Sequence, residues 1–266
     1  MRPGSIGVGA HKVITMSGLT KELAFTRPVR GLCLALLMLG ASAPAAQAAL
    51  TVSATRVVFD SDKRSVSVIV TNPSNRPYAV QTWINTVTDD TTSPVPFVAS
   101  PPLFRVNPGK EQQVQISGLP NDLPNDRESL FFFNVQEIPQ IVKEDGNALN
   151  IALRTRLKLF YRPSEIKDSP MSRLKDLTWS FKRSGGKNRL IVTNPSPFHL
   201  TFARVEVSAA GKTEKLASVP MLEPLATQEY DLKDVIPSQG AQVLFTAIND
   251  YGGQSIPLTL PIQFTP

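Results

Sequence analysis

The chain has 266 residues, 19% of them charged, with a formal net charge of +6. Residues 1–48 hold five of the bases (Arg2, Lys12, Lys21, Arg27, Arg30) and one of the acids (Glu22), which leaves 23 bases, 21 acids and a net +2 beyond them. That near balance excludes a diffuse nucleic-acid-binding patch. Cysteine is confined to Cys33, so the remaining residues can form no disulfide, and with His199 as their one histidine a zinc site or a Cys/His nucleophile pair is all but excluded.

The first element in chain order is a signal peptide. Arg27 and Arg30 precede the apolar run 32–39, and small residues follow to Ala46-Gln47-Ala48. A charged flank, a short apolar core and an A-x-A end are the pattern of an export signal, and the run is too short to span a bilayer as a helix. Cleavage is expected after Ala48; Met16 is an alternative start to Met1. About 218 residues remain, enough for one large or two ordinary domains without staples.

Strands are predicted over 51–59, 64–71, 77–85, within 95–104, and over 111–117, 128–138 and 147–162, separated by turn residues such as Asn107-Pro108-Gly109 and Asp145-Gly146-Asn147. Seven short strands at this spacing suggest an immunoglobulin-like sandwich. Residues 163–176, polar and proline-containing, read as a linker. The alternation then restarts over 177–183, 188–194, 198–208, 227–232, 241–249 and 256–264. The phrase Ile69-Val70-Thr71-Asn72-Pro73-Ser74 returns as Ile191-Val192-Thr193-Asn194-Pro195-Ser196, which with the linker favours two similar sandwiches in tandem. The expected fold is all-β, with domains at 49–163 and 164–266.

The stretch NALNIALRTRLKLFYRP, residues 147–163, stands out. Its odd positions carry Leu149, Ile151, Leu153, Thr155, Leu157 and Leu159; its even positions carry Arg154, Arg156 and Lys158, followed by Arg162, with no acid among them. No catalytic motif accompanies it: Gly7-Val8-Gly9 lacks the third glycine and the preceding strand of a phosphate loop, and neither G-x-S-x-G nor H-E-x-x-H occurs. His199 reads as a structural histidine. No metal site, no cofactor and no enzymatic activity is expected.

Residues 123–139, LPNDRESLFFFNVQEIP, resemble without a break the signature of the periplasmic pilus chaperones. Thr55-Arg56-Val57-Val58-Phe59, Pro101-Pro102, Pro108-Gly109, Lys158-Leu159-Phe160-Tyr161-Arg162-Pro163 and Asn249-Asp250-Tyr251-Gly252-Gly253 resemble further family motifs, in family order. The resemblance implies two immunoglobulin-like sandwiches in an L or boomerang, with a cleft between them. It also implies an exported protein that binds, folds and caps pilus or fimbrial subunits (pilins, adhesin) by lending them a strand, then delivers them to an outer-membrane usher. On that reading Leu149, Ile151 and Leu153 fill the subunit's groove, while Arg56 and Lys158 anchor its C-terminal carboxylate. Arg154 and Arg156 are expected to be solvated or flanking charges, and Glu128, Arg162 and Asp250 to form an interdomain charge network. Only seven residues, 140–146, separate Pro139 from Asn147, which resembles the short-loop branch of the family that serves rod-like adhesive fimbriae. An exposed apolar edge is an aggregation hazard, and self-capping by dimerisation is one way to manage it. The competing reading is a secreted surface-binding or adhesin protein on the same fold.

Overall fold

The structure is a computed structural model that describes residues 50–90, 92–138, 152–184, 186–236 and 238–263. The strands of the first half are β1 (Thr51–Val52), β2 (Arg56–Asp60), β3 (Ser65–Thr71), β4 (Tyr78–Asn85), β5 (Phe97–Ser100), β6 (Leu103–Val106), β7 (Glu111–Gly118), β8 (Ser129–Ile138) and β9 (Arg154–Arg162). They form one sheet in the order β1-β3-β7-β5 and another in the order β2-β9-β8-β4-β6. Alternation puts Val68 and Val70 of β3, Val114 and Ile116 of β7, Phe131, Phe133 and Val135 of β8 and Leu157 and Leu159 of β9 into one core. Phe97 packs edge-on against both Phe59 and Phe131, with ring centroids 5.2 and 5.1 Å away.

Two of the predicted strands are each two strands in different sheets. Within 51–59, Ser53 ends the pairing with β3: its N–H donates to the Ile69 carbonyl (2.9 Å), and its hydroxyl accepts from the Ile69 N–H (3.0 Å). The chain then crosses, and β2 pairs in parallel with β9. Within 95–104, Pro101 and Pro102 supply no N–H to a ladder, so the chain leaves β7 after β5 and joins β4 as β6.

The second half contains β10 (Thr178–Ser184), β11 (Lys187–Thr193), β12 (Phe202–Ala209), β13 (Lys212–Lys215), β14 (Thr227–Leu232), β15 (Gln242–Ala247) and β16 (Leu258–Gln263). β16 pairs with β15 and then, at Ile262 and Gln263, with β10, joining all seven strands. Trp179, Phe202 and Phe245 centre this core, with ring centroids 5.5–5.8 Å apart. β13 has no counterpart in the sequence reading, and β12 starts at Phe202 rather than 198. The segment 163–176 is no polar linker. It contains a 3-10 helix, Pro170–Asp176, capped by Ser169, which buries Pro170 and Leu174, and Ile166 already packs on the second core.

The repeated Asn-Pro-Ser builds the same knot twice. Asn72 Nδ2 donates to the carbonyls of Arg76 (2.7 Å) and Val106 (3.0 Å), while its Oδ1 accepts from the N–H and hydroxyl of Ser74. Asn194 does so with the carbonyls of Phe198 and Glu223 (both 2.8 Å) and with Ser196. Each knot ties a strand end to a neighbouring turn with a buried amide.

Glu214 of β13 straps down the chain after β14, accepting from the N–H groups of Lys233 (2.9 Å), Asp234 (2.9 Å) and Val235 (3.1 Å). Burial pushes its carboxyl up, but these bonds outweigh burial and hold it below the ordinary 4.5. A depressed carboxylate stabilises the fold above its unfolded value, and that contribution fades as pH falls below about 4.5. Glu214→Ala is therefore expected to cost about 1–3 kcal/mol at neutral pH, since it leaves three N–H groups without their acceptor. The deficit should shrink in acid. Urea midpoints across pH test this; a deficit that does not change with pH would count against the strap.

Candidate functional site

β9 lies between β8 and β2, but its two sides are unequal. β8 pairs with it from Arg154 to Tyr161, whereas β2 joins only at Lys158. The Glu137 N–H donates to the Leu153 carbonyl (2.9 Å), so odd residues turn their backbone groups toward β8 and even ones turn them away. Among the described residues no strand lies beside 154–157 on that second side, leaving the backbone groups of Arg154 and Arg156 unpaired by any strand there. Leu157 and Leu159 are buried, but further along the same face Thr155 is exposed and Leu153 is 52% exposed. The apolar row thus runs past the end of its own core. Leu149 and Ile151 lie outside the described residues.

Arg154 is exposed and Arg156 half-buried, so both are flanking charges in contact with solvent, but each also has protein partners. Arg154 makes an ion pair with Asp89, using Nη1 on Oδ2 (3.0 Å) and Nη2 on Oδ1, and also donates to Asn134 Oδ1. Its guanidinium lies 4.8 Å from the Trp83 ring centroid. Arg156 donates to the Thr86 carbonyl (2.9 Å) and lies 3.7 Å over Phe132. The acid missing from the local sequence, Asp89, arrives from a loop 65 residues away.

Lys158 and Arg56 are register neighbours on the parallel β2–β9 pair, both half-buried. Lys158 Nζ donates to Thr201 Oγ1 (3.2 Å) and Arg56 Nη1 to the Ile248 carbonyl (3.3 Å), so both reach the second sandwich. Neither makes an ion pair among the described residues, and Arg56 Nε is buried without a partner. Burial holds both below their ordinary ranges; the Arg56 charge lowers Lys158 further, and Asp250 and Glu128 partly offset the effect at Arg56. Two adjacent, desolvated cations with spare donors are suited to receive an anion.

Arg162 touches both Glu128 and Asp250. Arg162 donates Nε (2.9 Å) and Nη2 (2.8 Å) to Glu128 Oε1, and Nη1 (2.8 Å) and Nη2 (3.1 Å) to the two oxygens of Asp250. The side chains of Arg162, Glu128 and Asp250 are 13%, 1% and 28% exposed. Burial opposes the Arg162 charge, and the two carboxylates more than offset it, holding the guanidinium above its ordinary range. Glu128 Oε2 accepts from the His199 N–H (2.8 Å) and lies 3.2 Å from His199 Nδ1. The Glu128 N–H donates to the Pro197 carbonyl (2.9 Å). Beside them Gly252, at φ +87°, presses on Thr55 so closely that a Cβ there would run into the Thr55 hydroxyl.

Sequence reasoning missed Asp89, Asn134, Thr201 and the tie of His199 to Glu128. None has a local signal, because each acts on a residue 20 to 71 positions away. Among the described residues no group of His, Cys, Asp or Glu is arranged to hold a metal ion.

Comparison with known proteins agrees along the chain. The family model for the pili and flagellar-assembly chaperone PapD, N-terminal domain, matches residues 49–167, and that for the C-terminal domain of the pili assembly chaperone PapD matches 172–257. The probable fimbrial chaperone YadV of Escherichia coli K12 is 36% identical over 240 residues, covering 86% of this chain and 95% of that protein. The crystal structure of YadV superposes with a TM-score of 0.69 at 35% identity, over 80% of this chain and all of the other. PapD of Escherichia coli is 36% identical over 79% of this chain and 86% of its own. The SafB chaperone of Salmonella enterica, solved in complex with the SafA pilin, gives a solved structure at TM-score 0.67 and 28% identity, covering 80% of this chain and 95% of that one. The tandem sandwiches, the paired motifs and these relatives agree: the chain belongs to the PapD family of pilus-assembly chaperones.

Proposed function

We propose that the chain works in the periplasm, after removal of residues 1–48, by lending β9 and the residues before it to a pilus subunit that lacks a strand. What supports this most is the half-paired edge at 154–157, flanked by the exposed Leu153 and by the Arg56–Lys158 pair. An incoming strand would bond to the free backbone groups of β9 while alternate apolar side chains enter the subunit's groove, the mode known as β-strand addition. Leu149, Ile151 and Leu153 are the side chains assigned to that groove, each contributing about 1.5–3 kcal/mol when fully buried. Arg56 and Lys158 hold the subunit's C-terminal carboxylate and so fix the register, because a slip of one residue would reverse every side chain. Glu128, Arg162 and Asp250 fix the two sandwiches against each other. That SafB was solved with a pilin supports a subunit as partner; an outer-membrane usher then receives the complex, and a second copy caps the edge of the free protein. The family assembles pili rather than transforming a substrate, so no catalytic step is assigned.

Parity of the donated strand tests the reading. Ile151→Asp places a charge in the subunit's groove and is expected to reduce subunit recovered per chaperone at least tenfold, whereas Asn150→Asp, on the other face, should be mild. Equal losses from both would overturn the assignment of the odd face.

A further inference from the structure

Among the described residues, 154–157 have a strand on one side only, and a strand so placed frays readily. Besides the ladder with β8 and the buried Leu157, a closed circuit of side chains on the outer face of the sheet holds them. Asn85, at the end of β4, donates from Nδ2 to Asp89 Oδ1 (2.6 Å). Asp89, in left-handed backbone at φ 62°, engages the Arg154 fork with both carboxylate oxygens. Arg154 donates through Nε to Asn134 Oδ1 of β8 (2.9 Å), and Asn134 Nδ2 donates back to Asn85 Oδ1 (3.0 Å), with both amides fully buried. Arg156 adds a bond to the carbonyl of Thr86 in the same loop. The Asp89 carboxyl is held at about 2 by hydrogen bonds from Arg154 and Asn85, so the circuit stays charged through the neutral range.

We propose that Asp89 is a positioning residue for strand donation: through Arg154 it keeps the first half of β9 flat against β8, so that its unpaired edge is already extended when a subunit arrives. The inference rests on the reading of that edge as the donated strand. Its physical content is preorganisation, since residues ordered beforehand need not be ordered during capture, and the gain appears in the association rate.

The test compares Asp89→Ala and Asp89→Glu with wild type by amide hydrogen exchange on the free chaperone, read at Thr155 and Leu157, whose N–H groups face β8. Expected in Asp89→Ala is exchange roughly ten- to a hundredfold faster at these two amides. The amides of β3, β7 and β10–β12 should be unchanged, the melting temperature should shift by only a few degrees, and Asp89→Glu should recover part of the protection. Unchanged exchange at Thr155 and Leu157 would overturn the proposal, and so would a loss spread evenly over the sandwich, which marks a merely structural residue. The functional arm mixes each variant with a fimbrial subunit denatured in guanidinium. The association rate of Asp89→Ala should fall about tenfold with its dissociation rate little changed. If wild type itself captures no subunit, the strand-donation reading fails, whereas the exchange data judge Asp89 independently.

Discussion

Arg162→Ala is expected to lower stability by about 3–5 kcal/mol and to expose the chain to proteolysis in the periplasm. The Glu128 carboxylate is almost fully buried, and the variant would strip two charged N–H donors from its Oε1, leaving only the contacts of His199 with Oε2. Asp250 is more exposed and recovers water, so Asp250→Ala should cost less than Arg162→Ala. Lysine at 162 should rescue poorly, because one ammonium cannot reproduce a fork shared between two carboxylates. Arg162 also stacks 5.2 Å from the Phe198 ring centroid, and that packing is lost too. Denaturant midpoints and periplasmic abundance measure the effect. A variant as abundant and as stable as wild type would show that the three charges contribute nothing to holding the sandwiches.

Lys158→Ala and Arg56→Ala should do the reverse: leave the fold nearly intact and abolish subunit capture. Lys158 makes one side-chain hydrogen bond, to Thr201, and burial already disfavours its charge, so its removal should cost stability about 1 kcal/mol or less. The binding loss should be on the order of 2–5 kcal/mol, because a subunit carboxylate would be desolvated without its partner. On the proposed reading both cations face the same anion, so the double variant should lose less than the sum of the two. Subunit recovered per folded chaperone, with melting curves alongside, is the measurement. Normal capture by both single variants, or a loss explained by unfolding, would remove the carboxylate anchor.

The strands were legible because alternation is a local property, and every buried row in the first sandwich appears in the sequence as every second residue. The Asn-Pro-Ser phrase was legible as a repeat but not as a knot, since its bonds reach to Val106 and Glu223. Residues 163–176 misled because their polar composition conceals the buried Pro170 and Leu174, and Leu174 belongs to the second core. Glu128, Arg162 and Asp250 carry no local sign of one another and were grouped only through family resemblance. The partners of Arg154 and Arg156 were not legible because Asp89 and the Thr86 carbonyl lie on the far side of β8, beyond what strand periodicity reports.

The contact of Gly252 with Thr55 gives the seam between the sandwiches a mechanical character. Arg162 ties the two sides through its hydrogen bonds to Asp250, and two residues further on the bare α-carbon of Gly252 lets the backbone lie directly against Thr55. A side chain at 252 would wedge the seam apart at that point. Arg56, the residue after Thr55, stands at that contact, so the spacing at which it and Lys158 reach across to Ile248 and Thr201 depends on position 252 having no side chain.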